Sequence, residues 1–204
     1  MAELIYERQA LDQGYVRIAG MDEVGRGPLA GPVVTACVIL PLEEDRILEG
    51  VTDSKKLSPK RRAQLEAEIL AQAEGYALGI VDEKTIDRIN ILQATRKAMA
   101  QAALALEPPP ELVLVDAVGG LAIPMTQWPI IKGDLKSYLV GAASIVAKEA
   151  RDRMMREYDA LYPGYGFARN MGYGTAEHIS ALKRMGPCPI HRRSFLTKIL
   201  GEGI

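Results

Sequence analysis

The chain is poor in the residues from which soft-metal and redox sites are made. Its two cysteines, Cys37 and Cys188, lie far apart and form no C-x-x-C pair, which argues against a zinc knuckle or a dithiol centre. Only two histidines occur, His178 and His191, so a metal site here has to be built from carboxylates, and these select a hard cation such as Mg²⁺ or Mn²⁺. Long apolar runs are also missing. Glycine, proline or charge interrupts each one well short of the roughly 18 positions a membrane span needs, so no membrane association is expected. The start, Met1-Ala2-Glu3-Leu4-Ile5-Tyr6-Glu7, lacks the basic region and apolar core of a secretory signal, and a cytoplasmic protein is the expectation. Charge of one sign is not in surplus either, with 25 Lys and Arg against 26 Asp and Glu, so the placement of the bases decides whether nucleic acid is a partner.

The 204 residues are 48% hydrophobic and 25% charged, enough for one large domain with an appendage and too apolar for a disordered chain. Val16 to Met21 reads as a strand running into Asp22-Glu23. After a Gly/Pro turn, Val33 to Leu40 reads as a second strand rich in β-branched residues. Ser58-Pro59 is a cap followed by a first-turn proline, opening a helix to about Glu74. Tyr76 to Val81 gives a third strand. Asp82 caps a long helix carrying Ile86, Ile89, Leu92, Met99, Ala103 and Leu106 at helical spacing, stopped by Pro108-Pro109-Pro110. Leu112 to Val115 is a buried strand delivering Asp116, Trp128 to Ile131 a fifth strand delivering Lys132-Gly133-Asp134, and Leu135 to about Leu161 a helix. Strands that are first adjacent and later separated by a helix predict an α/β fold with a mixed five-stranded sheet flanked by helices. Residues 1–161 form that domain, and residues 162–204 form a small helical C-terminal appendage.

Asp22, Glu23, Asp116 and Asp134 all stand at the ends of apolar strands. Acids there are costly to bury unless something pairs with them, and carboxylates from neighbouring strands raise one another's pKa unless divalent cations neutralise them. A two-metal phosphoryl-transfer site is built this way. Between the first acids and the second strand, Gly25-Arg26-Gly27-Pro28-Leu29-Ala30 satisfies the dinucleotide-binding pattern G-x-G-x-x-[GA]. That pattern needs a helix opening at the loop, whereas Pro32 and the strand Val33 to Leu40 follow. Glycines at 25 and 27 instead allow backbone to approach a sugar closely beside the carboxylates.

Met21-Asp22-Glu23-Val24-Gly25-Arg26-Gly27-Pro28-Leu29-Ala30-Gly31-Pro32-Val33 resembles the signature opening of bacterial ribonuclease HII, the type 2 ribonuclease H family. The resemblance continues through Asp53-Ser54-Lys55-Lys56-Leu57-Ser58, Ile86 to Thr95, Val115-Asp116, Lys132-Gly133-Asp134, Ala143 to Lys148, Gly172-Tyr173-Gly174-Thr175 and His191-Arg192-Arg193-Ser194-Phe195. It covers nearly the whole chain and implies a ribonuclease H-like fold. The activity it implies is Mg²⁺- or Mn²⁺-dependent endonucleolytic cleavage, leaving 3′-hydroxyl and 5′-phosphate, of RNA in RNA–DNA hybrids and 5′ of single ribonucleotides in duplex DNA. By the same resemblance Asp22, Glu23, Asp116 and Asp134 are the catalytic, metal-binding acids. Gly25, Arg26 and Gly27 contact the 2′-hydroxyl, and Tyr173 stacks on the sugar. The chain departs from the family pattern at Asn170-Met171, where many members have His-Lys, and at Glu149-Ala150, where Val-Thr is common after Lys148.

Lys183 to Lys198 contains no acid, and Arg192 and Arg193 within it are candidates for phosphate contact. Ser54, Lys55 and Lys56 form a second candidate substrate-binding group. Asp53 and Asp152 read as caps or ion-pair partners, and His178 and His191 as structural histidines. Two other functions fit parts of the pattern. A resolvase-like nuclease on the same fold would cut all-DNA substrates, and a non-catalytic nucleic-acid binder would bind without cleaving. A Gly-Arg-Gly loop and Tyr173 suit a 2′-hydroxyl reader better than the first, and four intact acids argue against the second. A monomer is expected; a sliding-clamp partner does not follow from the residues.

Overall fold

The computed structural model describes residues 4–201; residues 1–3 and 202–204, at the outer ends of the two expected segments, lie outside it. β1 (Ile18–Val24) and β2 (Val33–Ile39) form an antiparallel hairpin in which Met21 faces Cys37. β3 (Gly75–Val81) joins β2 antiparallel. On the other side of β1, β4 (Leu112–Asp116) and β5 (Thr126–Ile130) add parallel, giving the order β3-β2-β1-β4-β5. A short turn makes the first pair antiparallel, while parallel pairing with β4 needs the long crossover that the intervening helices supply.

Strand alternation divides the core into two layers. Ile18, Ala36, Val38, Leu112 and Leu114 pack with Leu139, Ala142, Ala143 and Val146 of α6 (Tyr138–Leu161). Ala19, Met21, Cys37, Val113 and Val115 point the other way, to Met99, Ala102 and Ala103 of α4 (Ile91–Leu104). With both faces covered, β2 is buried along its whole length, which is why it reads as an unbroken apolar run. α2 (Pro59–Gln72), capped by Ser58 as the sequence predicts, packs beside α6. No helix among the described residues is long and apolar enough to cross a membrane.

Three departures from the sequence reading have local causes. The helix from Asp82 is two helices, α3 (Glu83–Ile89) and α4: Asn90 adopts φ +67° and its side chain accepts from the Gln93 N–H, ending one helix and capping the next. The helix from Leu135 likewise divides at Ser137 into α5 (Gly133–Lys136) and α6, with Ser137 Oγ accepting from Val140 N–H at 3.2 Å. An additional helix, α1 (Ile5–Asp12), is too short to show periodicity and is held by one buried acid. Glu7 Oε1 accepts from Ser137 Oγ at 2.5 Å and from Leu139 N–H at 3.1 Å, and so tethers α1 to the start of α6.

Beyond Tyr162, α7 (Phe167–Asn170), α8 (Ala176–Met185) and α9 (Arg193–Leu200) surround a separate apolar cluster of Tyr165, Phe167, Ala181, Leu182, Ile190 and Leu196. Ala30 and Met155 complete it, so this segment is seated on the β1–β2 turn and the far end of α6.

At Gly20 the backbone of α6 lies directly on the sheet, and a Cβ there would fall inside the Leu139 carbonyl. Gly20→Ala is therefore expected to destabilise the protein by about 3 kcal/mol or more, since backbone rather than a mobile side chain blocks the methyl. Urea denaturation should show a lower midpoint at unchanged slope. A shift below about 0.5 kcal/mol, the range of ordinary surface substitutions, would mean that the helix approach is loose.

Candidate active site

β1 and β4 run parallel with Met21 opposite Val115, so the next residues, Asp22 and Asp116, come side by side on the face covered by α6. Glu23 follows at the end of β1. Asp134 arrives from the other direction: Lys132 adopts φ +59°, the chain turns into α5, and Gly133 N–H donates to Asp116 Oδ1 at 2.7 Å. The structure thus brings the four acids of the sequence reading to one end of the sheet.

Their charges are poorly compensated. Burial, then the neighbouring charges of Glu23 and Asp116, holds the Asp22 carboxyl well above the usual range, against hydrogen bonds from Ser144 and the Glu23 N–H. Burial also raises Glu23, with Asp116 adding to the effect and the ion pair to Arg26 at 3.1 Å opposing it. Asp134 is raised by burial and then by Asp116 and Asp53, with Lys55 pulling the other way. Glu23 Oε2 is buried with no donor. An orphaned carboxylate oxygen among mutually repelling carboxyls fits an oxygen-coordinated divalent cation. Among the described residues these groups do not converge as a closed cage. Asp116 Oδ1 is turned to the Gly133 amide and Glu23 Oε1 to Arg26.

The loop after Glu23 is shaped from beneath by two buried arginines. Arg192 donates to Gly31 O from Nε and Nη2 (2.9 and 2.7 Å), to Gly25 O from Nη2 (2.6 Å) and to Arg26 O from Nη1 (3.1 Å). Arg151 donates to Pro32 O, Ala30 O and Met171 O at 2.9–3.0 Å. With its carbonyls held to the interior, the loop presents Arg26 and Gly27 to solvent. Gly25 sits at φ +92° against the Arg151 guanidinium, where a side chain has neither the conformation nor the space. Burial lowers Arg151 to about 10, and burial together with the Arg151 charge lowers Arg192 to about 9, so both remain cations at neutral pH.

Arg192 has no exposed surface, so it supports the Gly25–Gly31 turn and does not itself meet a phosphate; the neighbouring Arg193 is exposed. Tyr173 is 41% exposed, and a Cβ at Gly27 would stand 3.6 Å from its Cε1, which places the ring beside the loop tip. Leu29 N–H donates to Gly172 O at 2.8 Å, joining the two loops. Asn170, one of the departures from the family pattern, is structural: its Oδ1 accepts from Gly172 N–H and its Nδ2 donates to Tyr165 O.

Ser54 to Lys56 form a single 3-10 turn on the rim of the acids, capped by Asp53, which accepts from Lys55 N–H at 2.9 Å. Lys55 and Lys56 are exposed; Ser54 is buried, its Oγ 3.0 Å from Ser144 Oγ. Asp152 is an ion-pair partner as read, meeting Arg62 at 3.3 Å and Lys148 at 2.5 Å, and Arg62 also pairs with Glu149 at 2.5 Å. Arg151 and the link through Ser144 were not legible as site residues. Their signal is phase: Ser144, Ala147, Arg151 and Met155 recur on one buried stripe of α6, where a cation and a hydroxyl need partners.

The family model for Ribonuclease HII matches residues 19–198, which span all four acids, the glycine loop and Tyr173. Ribonuclease HII of Ruminiclostridium cellulolyticum is 54% identical over 193 residues, 95% of this chain and 75% of that one. The solved structure of ribonuclease H2 from Pyrococcus horikoshii superposes with a TM-score of 0.77 at 29% identity, over 91% of this chain and 97% of that one. RNase HII from Archaeoglobus fulgidus, solved in complex with PCNA, gives 0.74 at 28% identity, over 87% and 94%. The mixed sheet with its covering helices is the ribonuclease H-like fold, and the chain belongs to the ribonuclease HII family of endoribonucleases.

Proposed function

We propose that this protein is a divalent-cation-dependent endoribonuclease that cuts the RNA strand of RNA–DNA hybrids and nicks duplex DNA 5′ of a single embedded ribonucleotide. The observation that carries the reading is the junction of two unlike surfaces through one ion pair: Glu23, in the uncompensated carboxylate cluster, bonds Arg26 at the tip of a backbone loop flanked by an exposed tyrosine ring. In this reading Asp22, Glu23, Asp116 and Asp134 hold Mg²⁺ or Mn²⁺. When bound, two such ions lower the pKa of the attacking water and stabilise the leaving oxygen.

The chain's own groups do the positioning. Gly25, Arg26 and Gly27 offer close backbone approach and a guanidinium at a sugar 2′-hydroxyl, the one group that distinguishes RNA from DNA at a given site. Tyr173 stacks on the adjoining sugar. Lys55, Lys56 and Arg193 lie exposed where phosphates pass, with Ser54 fixing the turn that carries the two lysines. Residues 1–161 then supply the chemistry and residues 162–204 the substrate-binding extension. A sliding clamp, found with the Archaeoglobus relative, is the corresponding partner of a monomer. The direct test is a DNA duplex with one ribonucleotide: a nick with Mg²⁺ and none with EDTA is expected, whereas equal cutting of an all-DNA duplex would sink the reading.

Asp134 has a folded-state pKa above its unfolded value, so its contribution to stability is present at low pH and is lost as pH rises through the folded value. At neutral pH the ionised carboxylate therefore opposes folding. Asp134→Asn should lower turnover by several orders of magnitude while the metal-free melting temperature at pH 7 holds or rises, the gain vanishing in acid. Added Mg²⁺ should raise the melting temperature of the unsubstituted protein more than that of the variant. A variant that unfolds but stays active in its surviving fraction would make Asp134 a structural cap.

In this reading a metal-activated water attacks phosphorus in line, so the 2′-hydroxyl is not the nucleophile. The cut should leave 3′-hydroxyl and 5′-phosphate ends, and a 2′,3′-cyclic phosphate in the product analysis would rule this route out.

Tyr173→Ala is expected to reduce nicking at a single ribonucleotide more than cleavage within a long hybrid, where neighbouring contacts compensate, with partial recovery in Tyr173→Phe. Equal losses on both substrates, in proportion to a fall in melting temperature, would instead identify a loop anchor.

A further inference from the structure

Behind Tyr173, two buried imidazoles meet with their Nε2 atoms 3.0 Å apart. The far nitrogen of each ring has a backbone partner of fixed character. Cys188 N–H, which can only donate, lies 2.9 Å from His191 Nδ1. Tyr173 C=O, which can only accept, lies 2.9 Å from His178 Nδ1. For two neutral rings these ends allow one consistent arrangement. His191 Nδ1 is bare and accepts from Cys188, its proton is on Nε2 and is donated to a bare His178 Nε2, and the His178 proton is on Nδ1 and is donated to the Tyr173 carbonyl. The Cys188 thiol, 3.1 Å from the same His191 nitrogen, can donate there as well, while the Cys188 carbonyl is farther off at 3.3 Å.

The surroundings hold the rings in place. Phe167 meets His178 edge-on at 5.4 Å and Tyr165 lies 5.0 Å from His191, while both imidazoles are essentially without solvent contact. Burial lowers both histidines, His191 to about 4 with the second ring adding to the effect, which agrees with neutral rings at pH 7. The chain of bonds starts in the same short segment that shapes the other half of the site. Ala30 bridges to His191, Arg192 N–H donates to Leu29 O at 2.9 Å, and the Arg192 guanidinium holds Gly25 and Arg26.

We propose that His178 and His191 are positioning residues for Tyr173: a proton-ordered relay from the Cys188 amide to the Tyr173 carbonyl sets the height of the tyrosine ring over Gly27. One segment, Cys188 to Arg192, thereby holds both the glycine loop and the aromatic side chain in register. The inference deepens the substrate reading above and rests on Tyr173 touching the substrate.

Ring-nitrogen chemical shifts of the unsubstituted protein at pH 7 should show opposite tautomers, a proton on Nδ1 of His178 and on Nε2 of His191. His178→Leu, which removes the donor to Tyr173, is expected to raise KM for a single-ribonucleotide duplex about fivefold, the equivalent of one ordinary neutral hydrogen bond, and to raise it more than kcat falls. His178→Asn places an amide donor near the position of Nδ1 and should recover KM whether or not it recovers the melting temperature, which a purely packing role would not produce. The tautomers need no variant, so they are read even if His178→Leu fails to fold. Like tautomers on both rings overturn the proposal, as does an unchanged KM in His178→Leu when Tyr173→Ala raises it. If Tyr173→Ala itself leaves KM unchanged, the substrate role of Tyr173 fails and takes the functional claim with it, while opposite tautomers would still be observed.

Discussion

The close approach of α6 to β1 is the constraint on which the rest depends. Gly20 lets the helix backbone lie on the strand, and the helix then delivers its side chains along the length of the site. Ser144 reaches Asp22 and Ser54, Asp152 and Glu149 anchor Arg62 of α2, and Arg151 reaches the glycine loop. At its start, Ser137 and the Leu139 amide hold Glu7, so α1 depends on the same helix. Had the helix stood off by a methyl group, the hydroxyl would miss Asp22 at the end of β1 and the guanidinium would miss the carbonyls of the β1–β2 turn. Packing thus precedes chemistry here: an apolar contact sets the distances at which polar groups pair.

The site separates charges of opposite sign into adjoining buried regions. Carboxyls gather at the ends of β1 and β4, where burial and mutual repulsion raise Asp22 and Glu23. A few residues along, two guanidiniums lie beneath the Gly25–Gly31 turn, bonded to carbonyls and, among the described residues, to no carboxylate. The first region is costly while its charges go unpaired. The second is satisfied by backbone oxygens and serves as a rigid seat. The Glu23–Arg26 pair crosses between them near the surface, which puts the glycine loop within one side chain of the acids.

Rigidity around Tyr173 comes from small polar devices rather than from regular structure. Asn170 closes its turn, Leu29 ties it to the glycine loop, and the imidazole pair supports its carbonyl. Each is short-range and directional, and together they hold an exposed ring in the link between α7 and α8.

The sequence by itself determined the mixed five-stranded sheet with its flanking helices and the main helix starts, and it singled out the four acids as candidates. These follow from local pattern: β-branched runs, caps at Ser58 and Asp82, and acids placed where apolar strands end. The family resemblance added the glycine loop and Tyr173. Only the tertiary structure decided which charged residues are exposed. Arg192 and Arg193 are neighbours in a basic stretch, yet one is buried under the loop and the other exposed, because the chain turns into α9 between them. Arg151, Ser144 and the His178–His191 pair were equally illegible as positioning groups. Their partners are backbone carbonyls, a hydroxyl and a second imidazole far away in sequence, and a carbonyl has no residue letter by which to be recognised. Strand order and helix position convert such residues into a site, and both are settled by burial across the whole chain rather than by any segment of it.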